Sequence, residues 1–260
     1  MEFSSAVIMQ YIADLMLPFM RLSGLFAVMV GIGARTLPVS VRSLLTLLIA
    51  MLVSGFIEPV AVEQIVSVST FLLIIKELII GLTIGFISTM VMMTFIIAGQ
   101  IVAMQTGLGF ASIIDPVNGL NVTALGQFFL ILATLMFWTF DGHLSMLRMI
   151  VLSFEALPIS GGWWPAINYM KVINFGAWMF VVAVTVSLAP IVALLAVNLA
   201  FGVMSKAAPQ LNVFALGFSI AQVTGLSMVW LTLGNFAIHF DNQWQRAQQL
   251  MCQLLAICSV

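Results

Sequence analysis

LIIGLTIGFISTMVMMTFIIAGQIVAMQTGLGFASII, residues 78–114, runs for 37 positions without one charged side chain. At ~1.5 Å rise per residue, one straight helix of that length would be about 55 Å long. The hydrocarbon core of a bilayer is only ~30 Å thick. The run must therefore break, fold back or pack deep within protein. Its second half holds the residues for a break, Gly99-Gln100 and Gly107-Leu108-Gly109-Phe110. Irregular backbone at membrane depth is tolerated only where protein buries it or where it lines a water-filled space. An uncharged, glycine-rich interruption is thus expected beside a pore or passage rather than in a plain anchor.

Composition sets the class. The chain is 63% hydrophobic and 7% charged, where soluble globular chains are roughly 45–50% apolar and about 25% charged. That excludes a water-soluble fold. Further charge-free runs at 116–140, 172–205 and 207–240 each suffice for a spanning helix. They are continuous rather than alternating, which argues against barrel strands. The expectation is an all-α integral membrane protein, one membrane domain over 1–260. Its six hydrophobic helical segments fall near 4–30, 43–57, 65–100, 122–140, 172–200 and 212–240, with several kinked or hairpin-like.

The N-terminal Met-Glu-Phe-Ser-Ser is acidic and reads as no cleaved signal. A net charge of −1 gives no basic surface for nucleic acid. Cys252 and Cys258 fit none of the recognised cysteine spacings, so neither a disulfide framework nor a metal site is expected of them. The connection carrying Arg35 and Arg42 favours the cytoplasmic side, as does that carrying Lys206, which puts both termini outside. Arg148 and Lys171 then fall outside, against the same rule.

Segment 43–57 is 15 residues, about 22 Å as a helix, too short to span. Asp14 and Arg21 sit seven apart on one helix face, with Pro18 between them bending the helix. Lys76 and Glu77 interrupt the third segment. Ionisable groups at such depth pair with one another or face an aqueous cavity. A structural pairing of Asp14, Arg21, Lys76 and Glu77 between helices is the expectation, with a transport role as the other reading. Two small-residue ladders, Gly81-x3-Gly85 and Gly217-x3-Ala221-x3-Gly225, mark close helix packing. After Asp241 the chain turns polar before a last apolar stretch, a tail suited to an interface or a partner subunit.

Catalytic signatures are missing. His143 and His239 lack metal-ligand spacing, and no Gly-x-Ser-x-Gly elbow occurs. Asp115 and Asp141 could form a carboxylate dyad, but both sit in turn-like sequence, and turn and capping roles explain them better. No metal, no cofactor and no enzyme activity are expected. Met90, Met92, Met93 and Met104 cluster before the glycine loop. Flexible thioethers of this kind fill changing shapes and suit a seal around a passing chain.

Several motifs occur in a fixed order: Arg35-Thr-Leu-Pro-Val-Ser-Val-Arg42, Lys76-Glu77-Leu-x2-Gly81-x3-Gly85-Phe86, Ala98-Gly99-Gln100, Gln105-x-Gly-x-Gly-Phe-Ala111 and Asp115-Pro116. Asp141-Gly-His-Leu144, Ser153-Phe154-x3-Pro158, Ala189-Pro190 and Lys206-Ala-Ala-Pro-Gln-Leu-Asn-Val-Phe214 follow. Each is weak alone; together they resemble the FliR family of flagellar type III export-gate subunits across nearly the whole chain. The resemblance implies a channel subunit for unfolded flagellar proteins in the bacterial inner membrane, at the flagellar basal body. It would join FliP and FliQ in a helical hetero-oligomer, with FlhB and FlhA around it. A FliP-like part would cover about 1–170, a FliQ-like part about 171–240, and a tail 241–260. The resemblance further implies a plug made by Gly107, Gly109, Phe110, Ile113 and Ile114, flanked by Gln105, Asp115 and Pro116. The rival reading is a polytopic secondary transporter for a small molecule, built on Asp14, Lys76 and Glu77. No repeat between the halves supports it.

Overall fold

The computed structural model describes residues 5–33, 37–57, 67–110, 112–114, 121–160, 167–207 and 213–255. Among them the chain forms α1 (Ser5–Val28), α2 (Val39–Ser54), α3 (Val68–Gln105), β1 (Ser112–Ile114), β2 (Asn121–Thr123), α4 (Ala124–Thr139), α5 (Gly142–Ala156), α6 (Tyr169–Ala207), α7 (Val213–Thr232) and α8 (Phe236–Leu254). The fold is all-α apart from the two short strands, which pair antiparallel with Ser112 opposite Thr123 and Ile114 opposite Asn121.

The six apolar segments correspond to α1, α2, α3, α4, α6 and α7. Hydropathy leaves out α5 and α8, which carry too many polar residues to register as apolar runs. Spanning capacity is narrower than segment count. Four stretches are long and apolar enough to cross a membrane, 10–28, 68–105, 169–207 and 217–254, or five if α4 and α5 together make one broken span. The 16 residues of α2 stay short of that length.

The run at 78–114 breaks later than Gly99-Gln100 suggested. Helix α3 continues for 38 residues through Gly81, Gly85 and Gly99, about 57 Å at the standard rise. These glycines face other helices, so each serves a close approach and not a turn. The break falls at Gly107, whose φ of 77° is left-handed. A left-handed residue just past a helix end is the usual glycine stop.

The chain divides into two compact units, and the boundary falls inside α3 between Thr89 and Met90. The first comprises 1–89, 141–173 and 246–260. Its apolar core joins Leu17, Val53, Phe154 and Ile159, with Ile49, Ile57, Leu73 and Ile74 packed around them. Within it α1 and α3 approach at backbone distance. A Cβ on Gly24 would sit 2.9 Å from the Leu82 nitrogen, one on Gly85 2.8 Å from the Leu25 carbonyl oxygen, and one on Gly81 would run into the Arg21 carbonyl. In this unit Asp141 takes a left-handed φ of 52° ahead of α5, and its side chain makes no cap hydrogen bond. The sharp turn expected at Asp141-Gly142 is present; capping by the carboxylate is not.

The second unit comprises 90–140 and 174–245. Phe95 meets Phe236 at 4.9 Å and Phe240 at 5.7 Å between ring centres, both tilted, and Phe129 meets Phe236 at 5.7 Å. A buried polar line crosses this unit: Trp178 donates to Gln243 at 3.1 Å, and Gln243 donates to Thr94 at 3.3 Å. The polar stretch after Asp241 thus starts as a helix that puts Gln243 and Trp244 inside. Cys252 lies on α8, and Cys258 lies outside the described residues.

Backbone contact at Gly81 makes a sharp expectation. Gly81→Ala should lower the unfolding midpoint of the detergent-purified protein, by ~1–3 kcal/mol of overpacking. Gly202→Ala, where a Cβ meets nothing within 4 Å, should be neutral or gain ~0.5–1 kcal/mol of helix propensity. Equal melting of the two variants would rule out the close α1–α3 approach.

Candidate functional site

Two places gather the residues singled out by sequence, one in each unit. In the first unit the buried charges converge on the C-terminal end of α5. Arg21 has no exposed surface. Its Nε donates to Glu77 Oε2 at 2.5 Å, its Nη1 to the Ser153 carbonyl at 2.7 Å and the Ser153 hydroxyl at 3.0 Å, and its Nη2 to the Leu157 carbonyl at 2.8 Å. The guanidinium carbon lies 4.1 Å from the centre of the Phe154 ring. Lys76 Nζ donates to the Ile159 carbonyl at 2.8 Å and stands 3.7 Å from Glu77 Oε1.

This arrangement has a physical logic. The C-terminal end of a helix carries the negative end of its dipole, so cations belong there. Burial away from water makes the bonds obligatory. Arg21 and Lys76 supply the donors, and Glu77 offsets one of the two buried positive charges. The neighbouring residues 76 and 77 on α3 thus take opposite tasks. Asp14 stands apart: it accepts from Gln10 at 2.8 Å, one helical turn away.

The second place is the segment between α3 and α4. Thr106 N donates to the Val102 carbonyl at 3.0 Å as the last helical bond, and Gly107 then turns the chain. A 3₁₀ turn over Leu108–Phe110 follows, with Gly109 close to Met104, and β1 and β2 pair to bring the chain back. Thr123 ends the excursion by accepting the Gly126 amide at 3.1 Å, a side-chain N-cap for α4. The base is pinched shut where Gly99 meets Gly126: a Cβ on Gly99 would lie 2.7 Å from the Gly126 Cα. The result is a hairpin of backbone hung between two helices. It holds Gly107, Gly109, Phe110, Ile113 and Ile114; Asp115 and Pro116 lie outside the described residues.

Other residues fall as follows. Gln105, at the end of α3, is exposed. Met104 is 73% exposed beside the hairpin while Met92 is buried, so the methionines divide between surface and core. The ladder on α7 meets different neighbours at each rung: Gly217 faces the Phe201 ring, and Gly225 faces Thr106. Among the described residues no three His, Cys, Asp or Glu side chains are grouped as metal ligands would be. Gly24 and Gly126 escape a ladder search because neither has a small residue on its own helix at the required spacing. The α5 carbonyls escape because any residue type supplies a carbonyl.

Long apolar helices with ionisable groups buried between them define a polytopic helical membrane protein. The family described as "Bacterial export proteins, family 1" matches residues 12–247. The flagellar biosynthetic protein FliR of Pectobacterium carotovorum is 32% identical over 90% of this chain and 89% of its own length. That of Escherichia coli K12 is 31% identical over 82% and 81%. That of Bacillus subtilis 168 is 28% identical over 94% and 95%. The chain belongs to the FliR family of bacterial export proteins.

Removing one member of the clasp strands the others. Arg21→Ala or Glu77→Ala should cost ~3–5 kcal/mol, read as lost protein in membranes and a collapsed unfolding midpoint in detergent. Arg21→Lys should not restore it, because an ammonium cannot bridge the four acceptors of the planar fork. Asp14→Asn should stay within ~0.5 kcal/mol of the parent.

Proposed function

We propose that this chain is the subunit of a flagellar protein-export gate that lines the passage for unfolded export substrates, with the α3–α4 hairpin as its stopper. Family membership over residues 12–247 carries the reading. The chain is a flagellar-type export component of the bacterial inner membrane. The stopper assignment draws support from the hairpin geometry: a left-handed glycine releases it from α3, a pinched base holds it, and Leu108, Phe110, Ile113 and Ile114 give it apolar bulk without charge. Such a segment blocks ions by filling space and gives way without breaking salt bridges.

The gate is built with FliP and FliQ, with FlhB and FlhA around it. Support comes from the apolar surface. In the spanning windows of α6 and of α7–α8 only 22% of residues are buried within the chain. Phe180, Val184, Leu188, Val192 and Leu199 along α6 are all exposed, so that face meets lipid or other apolar subunits. The division into a FliP-like part to about 170 and a FliQ-like part over about 171–240 belongs to the same proposal. The work is mechanical, with no catalytic step in this chain. The transporter reading is not favoured: Lys76 and Glu77 are engaged at the α5 end, and Asp14 is not with them.

Deleting 107–112, or replacing Phe110 with alanine, should make a reconstituted closed gate conduct ions where the parent gate does not. Unchanged conductance in both variants would remove the stopper. Purification under mild detergent should bring down other small apolar membrane proteins with this chain; a lone monomer would count against the gate.

A further inference from the structure

We propose that Phe218 on α7 is the seat of the stopper: its ring holds the root of the hairpin at Gly107, so that α7 controls whether the hairpin stays closed. The inference rests on the stopper reading above and adds the residue that would hold it. A Cβ on Gly107 would lie 2.6 Å from Phe218 Cζ and 3.0 Å from Cδ2, so the ring lies flush on the glycine backbone. The left-handed φ of 77° favours glycine there, and a Cβ would push the ring aside.

A second contact repeats the first two turns along the same face of α7. Gly225 lies directly against the Thr106 side chain, so closely that a Cβ would run into the Thr106 methyl. Thr106 is itself buried and anchored through its hydroxyl to the Ala103 carbonyl at 3.0 Å. Between them, Ala221 is 5% exposed. The face at 218, 221 and 225 follows helical spacing, so α7 grips consecutive residues 106 and 107 at the hairpin root.

The two grips differ in kind. Thr106 against Gly225 is buried. The Phe218 ring is 50% exposed and borders an open groove of about 380 Å³ shared with Met104, Gln105, Asn198 and Ser205. A ring with free space beside it can swing away without unfolding its helix. Phe218 is therefore the releasable contact and Thr106–Gly225 the fixed hinge.

Ion conductance of the reconstituted gate tests this. Phe218→Ala should raise closed-state leak about tenfold, the shift that ~1.4 kcal/mol gives a two-state equilibrium. Phe218→Tyr keeps the ring and should stay sealed. Gly107→Ala should leak as well, and the double variant with Phe218→Ala should leak no more than Gly107→Ala alone, since both remove one contact. A sealed Phe218→Ala gate beside a leaky 107–112 deletion overturns the seat and leaves the stopper standing. Sealed gates in both cases overturn the stopper and the seat with it. If Phe218→Ala does not accumulate, Phe218→Leu in the assembled gate decides: a leak supports the seat, and a sealed gate overturns it.

Discussion

Arg21 to Glu77 is the contact on which the first unit depends. Two cations and one carboxylate are buried together, and water is not there to solvate any of them. Such a cluster is costly to bury and costlier to leave incomplete. Its geometry ties α1 to α3 through the ion pair and both helices to the end of α5 through backbone carbonyls. Apolar contact alone is directionless, and in lipid it offers no preference between a helix and a hydrocarbon tail. The planar Arg21 fork, bonded through all three nitrogens, fixes which turn of α3 faces which turn of α1.

Glycine supplies the second constraint. Backbones of α1 and α3 touch at Gly24, Gly81 and Gly85, and those of α3 and α4 touch at Gly99 and Gly126. Close approach lets dispersion accumulate along the crossing, the main source of helix association in an apolar medium. It also shortens the mouth of the α3–α4 connection, so the intervening residues leave as a hairpin. Close crossings and the turn that ends α3 arise from the same residue type. The difference is backbone angle: the packing glycines stay helical, while Gly107 is left-handed.

The resulting division suits an export component. A clasped, tightly crossed unit holds position, and the second unit carries the hairpin, an aromatic cluster and two long helices with largely uncovered apolar faces. Surfaces of that extent cannot be left to water. Exposed apolar residues recur along the whole length of α6.

Sequence by itself determined the class: 37 uncharged residues and a 7% charge content leave helices in lipid as the only solution, because backbone polar groups there must be satisfied locally. It marked six apolar segments that each overlap a helix, with ends up to about eight residues off, since a long apolar run is a local property. Gly107 as a break was legible; Gly99 as a packing contact was not, because a lone glycine reads the same in either role. Only tertiary structure decided that Arg21 and Lys76 end on carbonyls at and just past the end of α5, that Asp14 stands aside, and that Phe218 lies on Gly107. The clasp contacts of Arg21 join residues 56 to 136 positions apart in sequence, from Glu77 to Leu157. Their partners are often backbone atoms that no side-chain pattern marks, so the packing of one helix on another had to supply them.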